Sequence, residues 1–209
     1  MNKLLLKKGT LLIFAIISAV LFLVWGVYNV CTGNYQNGLY AVIYAALIVS
    51  ILISYKKCDT NCQKALIGIL LMFIARDELD FCYYILSNQS VFTAVDSVLT
   101  VSIVVLFAIY LINYVLTLSD HIGEKYMSLI NNIVLAMLFV LYTIYVIRLL
   151  IGGYLNDAIA LKAGELTTVV MISCISMRVQ TYKRIRAAAI LNGTWDKDAR
   201  KEAKKLFAL

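Results

Sequence analysis

Proline is absent from all 209 residues, and histidine occurs once, at His121. Without proline, any break in a helix falls to glycine or to polar side chains. This argues against a large alternating-access transporter built on broken helices. One histidine excludes a bis-histidine haem within a single chain, and the stretch Ser119-Asp120-His121 offers no metal triad and no Ser-His pair, so His121 reads as a solvated loop residue. Glycine-rich phosphate loops, G-x-S-x-G and H-E-x-x-H are all missing. The five cysteines make no framework. Cys58 and Cys62 form a C-x3-C pair without a nearby histidine, a weak zinc signal, and Cys174 reads as a small core residue. Cys31 and Cys82 fall toward the same end of the molecule, where a disulfide is left open. An intramembrane aspartyl pair can be assembled from Asp77 or Asp80 with Asp96, yet no flanking residue specifies it. The sequence therefore predicts no catalytic residues, no metal centre, no cofactor and a non-enzymatic role.

Charge is scarce at 15%, while 62% of the chain is hydrophobic, against roughly 45–50% apolar residues in soluble domains. Six apolar runs, about 10–31, 39–55, 65–86, 91–118, 126–151 and 158–182, approach or exceed the ~20 residues that a helix needs to cross a bilayer. They are apolar on both parities, unlike barrel strands. The predicted fold is all-α: a polytopic domain of six transmembrane helices over 1–191, followed by a short basic tail over 192–209. Lys3, Lys7 and Lys8 precede the first run as in a signal peptide, but no small-x-small cleavage site follows, so the run reads as an uncleaved span. Sixteen of the 19 Lys and Arg residues fall on one side of this arrangement. The positive-inside rule then places both termini in the cytoplasm, most naturally at the plasma membrane. The net charge of +7 reflects that bias; no basic-aromatic motif points to nucleic acid. No internal repeat is evident.

Four ionisable residues crowd into Arg76-Asp77-Glu78-Leu79-Asp80, in the middle of the third run. Charge within a span is costly and by default marks a functional site. On a helical wheel Arg76, Asp77, Asp80, Tyr83 and Tyr84 share an arc of roughly 120°, predicted to face the bundle interior, with Glu78 and Cys82 pointing nearly the other way. Asp96 of the fourth run, Arg148 of the fifth, and Lys162 and Glu165 of the sixth are placed toward the outer side. With Trp25 and Tyr28 at the rim, these residues predict a polar vestibule open to the outside. Its acids, Asp157 among them, outnumber its bases by three, which favours a cation over an anion. Asn131 and Asn132 read as interhelical hydrogen-bond glue.

The sixth helix is predicted to continue through Lys183, Arg184 and Arg186 and to break at Asn192-Gly193. The tail then restarts as an amphipathic helix, with Trp195 on an apolar arc and Lys197, Arg200, Lys201 and Lys204 opposite. Such a helix lies at the headgroups of anionic lipids, or docks a cytoplasmic protein. Two functions fit the sequence. One is a channel or small transporter for a cation, proton or small amine, with Arg76, Asp77, Glu78, Asp80 and Asp96 at its site. The other is a sensor or accessory subunit that binds an external ligand or partner helix and signals through the tail. Glu78, facing away from the arc, suggests a homo-oligomer in either case.

Overall fold

The computed structural model describes residues 9–57, 60–88, 93–118, 124–151, 158–196, 198–199 and 203. Its six helices are α1 (Thr10–Cys31), α2 (Tyr35–Lys56), α3 (Thr60–Ser87), α4 (Ala94–Leu118), α5 (Glu124–Ile151) and α6 (Ala158–Leu191). Among the described residues there is no strand. Helices α1, α2, α4 and α6 are each long and apolar enough to cross a membrane, which marks an integral membrane protein. Helices α3 and α5 are 28 residues each. The former is interrupted by its ionisable cluster, and the apolar part of the latter is Ile133–Arg148.

The first connection shows how local chemistry sets helix pairing. Gly33, at φ 87°, closes α1, with Gly33 N bonded to Val30 O at 3.1 Å and Asn34 N to Asn29 O at 2.8 Å. Glycine is favoured there because a side chain is strained in the left-handed region. The side-chain oxygen of Asn34 then accepts from Asn37 N at 3.2 Å and starts α2. Asn37-Gly38, a dipeptide that often marks a turn, therefore lies inside the first turn of α2. Gly38 has a packing role: a Cβ there would overlap the Val30 side chain, and one on Gly26 would overlap Ala41. Small residues at these two positions let α1 and α2 approach closely, as membrane helices commonly do.

Each helix packs against its sequence neighbours, and α6 closes the ring onto α1. Helix α6 is also the most enclosed. Residues 168–175 are buried without interruption, and eight successive positions of a 3.6-residue helix point in every direction. Its side chains meet Ser18 of α1, Tyr55 of α2, Glu78 of α3 and Tyr110 of α4. From 183 to 188 every residue is exposed, so Lys183, Arg184 and Arg186 ride on a helix that has left the bundle.

The predicted break follows, at Gly193 with φ 67° and Thr194 N bonded to Ala189 O at 2.8 Å. Trp195 then packs edge-on against Tyr182, centroids 6.4 Å apart. Asp196 Oδ1 accepts from Ala199 N at 2.7 Å, a side-chain cap that restarts the helix. Lys197, Arg200, Lys201 and Lys204 lie outside the described residues, as do Cys58, His121 and Asp157; so do the side chains of Asn131 and Asn132.

Candidate functional site

Helix α3 buries Ile67, Leu70, Leu71, Ile74 and Ile85. These positions repeat at intervals of three and four, and Glu78 stands in the gap between Ile74 and Ile85. Packing of this stripe against the neighbouring helices goes with a rotation that turns Glu78 inward, where Lys162 and Tyr142 meet its carboxylate. Glu78 is accordingly 1% exposed. The arc predicted to face inward is reversed by the same rotation. Arg76 and Asp80 are 47% and 68% exposed and pair with each other at 3.4 Å, and Tyr83 and Tyr84 also point outward. Asp77 sits at the boundary, half-buried, and accepts a hydrogen bond from Tyr44 of α2.

Glu78 finds its partners within the chain rather than across a subunit boundary. Lys162 Nζ lies 3.1 Å from Glu78 Oε2 and 3.0 Å from Glu165 Oε2. Tyr142 of α5 donates to Glu78 Oε1. Lys162 and Glu165 are 1% and 0% exposed. The ammonium also stands 4.7 Å from the centre of the Phe81 ring, a cation–π contact from α3, and Phe81 meets Tyr145 edge-on at 5.6 Å. Among the described residues no donor reaches Glu165 Oε1, while the Glu165 carboxyl lies within hydrogen-bond reach of the Glu78 carboxyl. Two carboxylates thus share one ammonium in a sealed interior, an excess of one negative charge if all three are ionised.

A stacked column connects this cluster to Asp77. Gly164 leaves room for the Phe22 ring, which a Cβ would meet at 3.2 Å. Phe22 stacks on Tyr44 with centroids 4.3 Å apart and planes within 6°, and the Tyr44 hydroxyl ends on Asp77. Below the cluster, α6 continues to present buried polar groups. Ser18 Oγ donates to Gly164 O at 3.1 Å and meets Thr168 Oγ1. Tyr110 and Ser173 hydroxyls lie 3.2 Å apart. Arg178 is buried and donates from Nη1 to the Tyr55 hydroxyl at 3.4 Å.

Asp96 has a different setting. Its Oδ2 accepts from Thr93 N at 2.9 Å and Thr93 Oγ1 at 2.6 Å, the reciprocal box that starts a helix. Its Oδ1 receives Arg148 Nε at 2.7 Å. Asp96 at the first turn of α4 and Arg148 at the last turn of α5 also suit the helix dipoles. The pair forms a clasp at the rim, away from the buried cluster.

The predicted vestibule is therefore not assembled as one cavity wall. Arg76, Asp80, Tyr83 and Tyr84 lie on the outer face of α3, and Asp96 and Arg148 at the rim. Trp25 is in the hydrophobic core, Tyr28 is partly exposed, and Lys162 and Glu165 are sealed inside. Cys31 and Cys82 are free thiols. Among the described residues no group of three or more His, Cys, Asp or Glu side chains could hold a metal ion. The sequence reading missed Tyr44, Tyr142 and Ser18, whose signal was a polar atom on an otherwise apolar stripe. No family model, curated protein or solved structure matches this chain. Its function has to be argued from these residues.

Proposed function

We propose that the chain is a six-span membrane protein, both termini cytoplasmic in a plasma membrane, and that it handles a proton, monovalent cation or small amine as a channel or small transporter. The site would be Glu78, Lys162 and Glu165, with Asp77 and its Tyr44 partner beside it. One observation carries this reading: two carboxylates and one ammonium, each at most 1% exposed, with ion pairs of 3.1 and 3.0 Å. An unbalanced charge in a low-dielectric interior costs several kcal/mol, so the cluster calls for one more positive charge. The buried polar groups at Thr168, Ser173 and Arg178 give α6 a set of stations below the cluster, which suits a relay. Arg76, Asp80 and Asp96 have no part in this version of the site.

The spanning of α3 and α5 is supported by their length and by packing with flanking helices. The orientation is supported by Lys56, Lys57, Lys64, Lys183, Arg184 and Arg186, which fall at one end of the alternating bundle. Below that end the basic tail would lie against anionic headgroups.

A second reading, a sensor or accessory subunit, is favoured by a specific feature. Helix α6 runs unbroken from Lys162 and Glu165 to the emergent Lys183, Arg184 and Arg186. A change at the cluster would reach the cytoplasmic surface through one rigid element, and a cytoplasmic partner could dock on the tail. Flux in proteoliposomes under proton, sodium, potassium and organic-amine gradients separates the two. The transport reading predicts flux that Glu165→Gln and Glu78→Gln abolish and Asp80→Asn preserves. No flux under any gradient would leave the sensor.

A further inference from the structure

Three polar side chains of α2 follow one another at intervals of four, Gln36, Tyr40 and Tyr44, a spacing that keeps them on one face of the helix. Gln36 Nε2 donates to the Tyr40 hydroxyl at 3.2 Å. Arg76 of α3 stands over the Tyr40 ring, 4.8 Å from its centre, and Tyr44 donates to Asp77. The seam between α2 and α3 therefore carries polar groups from the first turn of α2, where Gln36 is exposed, down to Tyr44. Counting ~1.5 Å per residue, Asp77 lies ~15 Å below the end of α3 at Ser87, about half of a ~30 Å hydrocarbon layer. Ionisable groups at that depth are almost always turned toward protein or water. Arg76 and Asp80 are largely exposed, and both partners of Arg76 lie on its Ser87 side, Asp80 one turn farther along α3 and Tyr40 one turn before Tyr44. That is the direction in which a long cationic side chain snorkels toward water. At its inner end the seam stops at the buried Tyr44 ring, which is held between Phe22, stacked at 4.3 Å, and Phe73, edge-on at 5.9 Å. From there Tyr44 and Asp77 are both within electrostatic reach of Glu165, and Asp77 of Lys162.

We propose that water reaches Asp77 along this seam, that Asp77 and Tyr44 form the port through which the Glu78–Lys162–Glu165 cluster exchanges with the medium, and that the port passes a proton but no metal ion or amine. The inference rests on the reading of the cluster given above and narrows its substrate to one. Rings stacked at 4.3 Å are in van der Waals contact, which leaves no bore for a sodium ion or an ammonium. A hydroxyl needs none. Asp77, once protonated from the seam, gives its proton to the Tyr44 oxygen as the Tyr44 O–H passes its own inward to the Glu78 and Glu165 carboxyls. Tyrosine ends neutral, Asp77 ends ionised, and one proton has moved; the reverse sequence returns it. Arg76 sets a fixed positive charge at the mouth, held there by Asp80 and Tyr40. Such a charge lowers the local concentration of metal cations and amines, whereas a proton can be taken from water itself.

The test is the rate at which the cluster exchanges its proton for a deuteron, read by infrared spectroscopy in lipid nanodiscs as the acid carbonyl band moves to lower frequency after transfer to D2O. Tyr44→Phe keeps the ring against Phe22 and removes only the hydroxyl; Asp77→Asn keeps an acceptor and removes the titratable group. Each should leave the band in place and slow its exchange on the order of a hundredfold, the scale of a lost acid–base group. Asp80→Asn should exchange like the wild type. Loosened packing acts the other way, because local opening quickens exchange, so a purely structural role for Tyr44 or Asp77 would not give a slower rate. Sodium, potassium or methylammonium at high concentration should leave the band unchanged. Wild-type exchange rates in both port variants, or a band that one of these cations removes, would overturn the proposal while leaving the additional positive charge of the cluster intact. A wild-type spectrum with no acid band would instead overturn the reading of the cluster, and the port with it.

Discussion

The buried triad makes the clearest predictions at the level of single residues. Lys162→Met leaves Glu78 and Glu165 facing each other without a counter-charge, and breaking a buried pair in this way costs about 3–5 kcal/mol. Denaturant unfolding in micelles should register that loss. Adding Glu78→Gln and Glu165→Gln to Lys162→Met removes the stranded charge and should recover most of it, because a neutral hydrogen-bonded core is often as stable as an ion cluster. The rim pair behaves differently. Arg148 is more than a third exposed, so Arg148→Met should cost no more than about 1 kcal/mol. Asp96→Ala also removes the helix cap and should cost about 1–2 kcal/mol, with Asp96→Asn falling between them in the same unfolding assay.

Among the elements, α1 and α2 depend on two glycines and α3 has one to spare. Gly38→Leu would drive a side chain into Val30 and should destabilise by about 1–3 kcal/mol. A Cβ on Gly68 meets nothing within 4 Å, so Gly68→Ala should be neutral or stabilising by up to about 1 kcal/mol through helix propensity. Thermal unfolding of the two variants side by side checks the contrast. Helix positions were largely legible in the sequence, because long apolar runs and the Asn192-Gly193 break carry strong local signals. Helix rotation was less so. The arc of Arg76, Asp77, Asp80, Tyr83 and Tyr84 was assigned inward by its polarity, whereas Glu78, in register with the repeat of Ile67, Leu70, Leu71, Ile74 and Ile85, is the side chain turned inward. That repeat was present in the sequence, but four adjacent charges masked it. The enclosure of α6 was not legible at all. Its burial depends on where five other helices stand, and no local pattern encodes that.

For the whole molecule, a ring of helices closed by α6 encloses a sealed charged cluster and carries the Arg76–Asp80 ion pair on its outer face. Reporter fusions at each terminus should place both on the cytoplasmic side; opposite sides would remove one of the six spans. The central claim is that the Glu78–Lys162–Glu165 cluster holds one additional positive charge, for which a proton shared by the neighbouring Glu165 and Glu78 carboxyls is the simplest form, since among the described residues no donor reaches Glu165 Oε1. Infrared spectroscopy of the protein in lipid nanodiscs at neutral pH, without added sodium or potassium, reads this directly. The account predicts a carbonyl band of a protonated carboxylic acid that Glu165→Gln or Glu78→Gln abolishes and Asp80→Asn leaves in place. A wild-type spectrum with every carboxyl ionised, under those salt-free conditions, would contradict it.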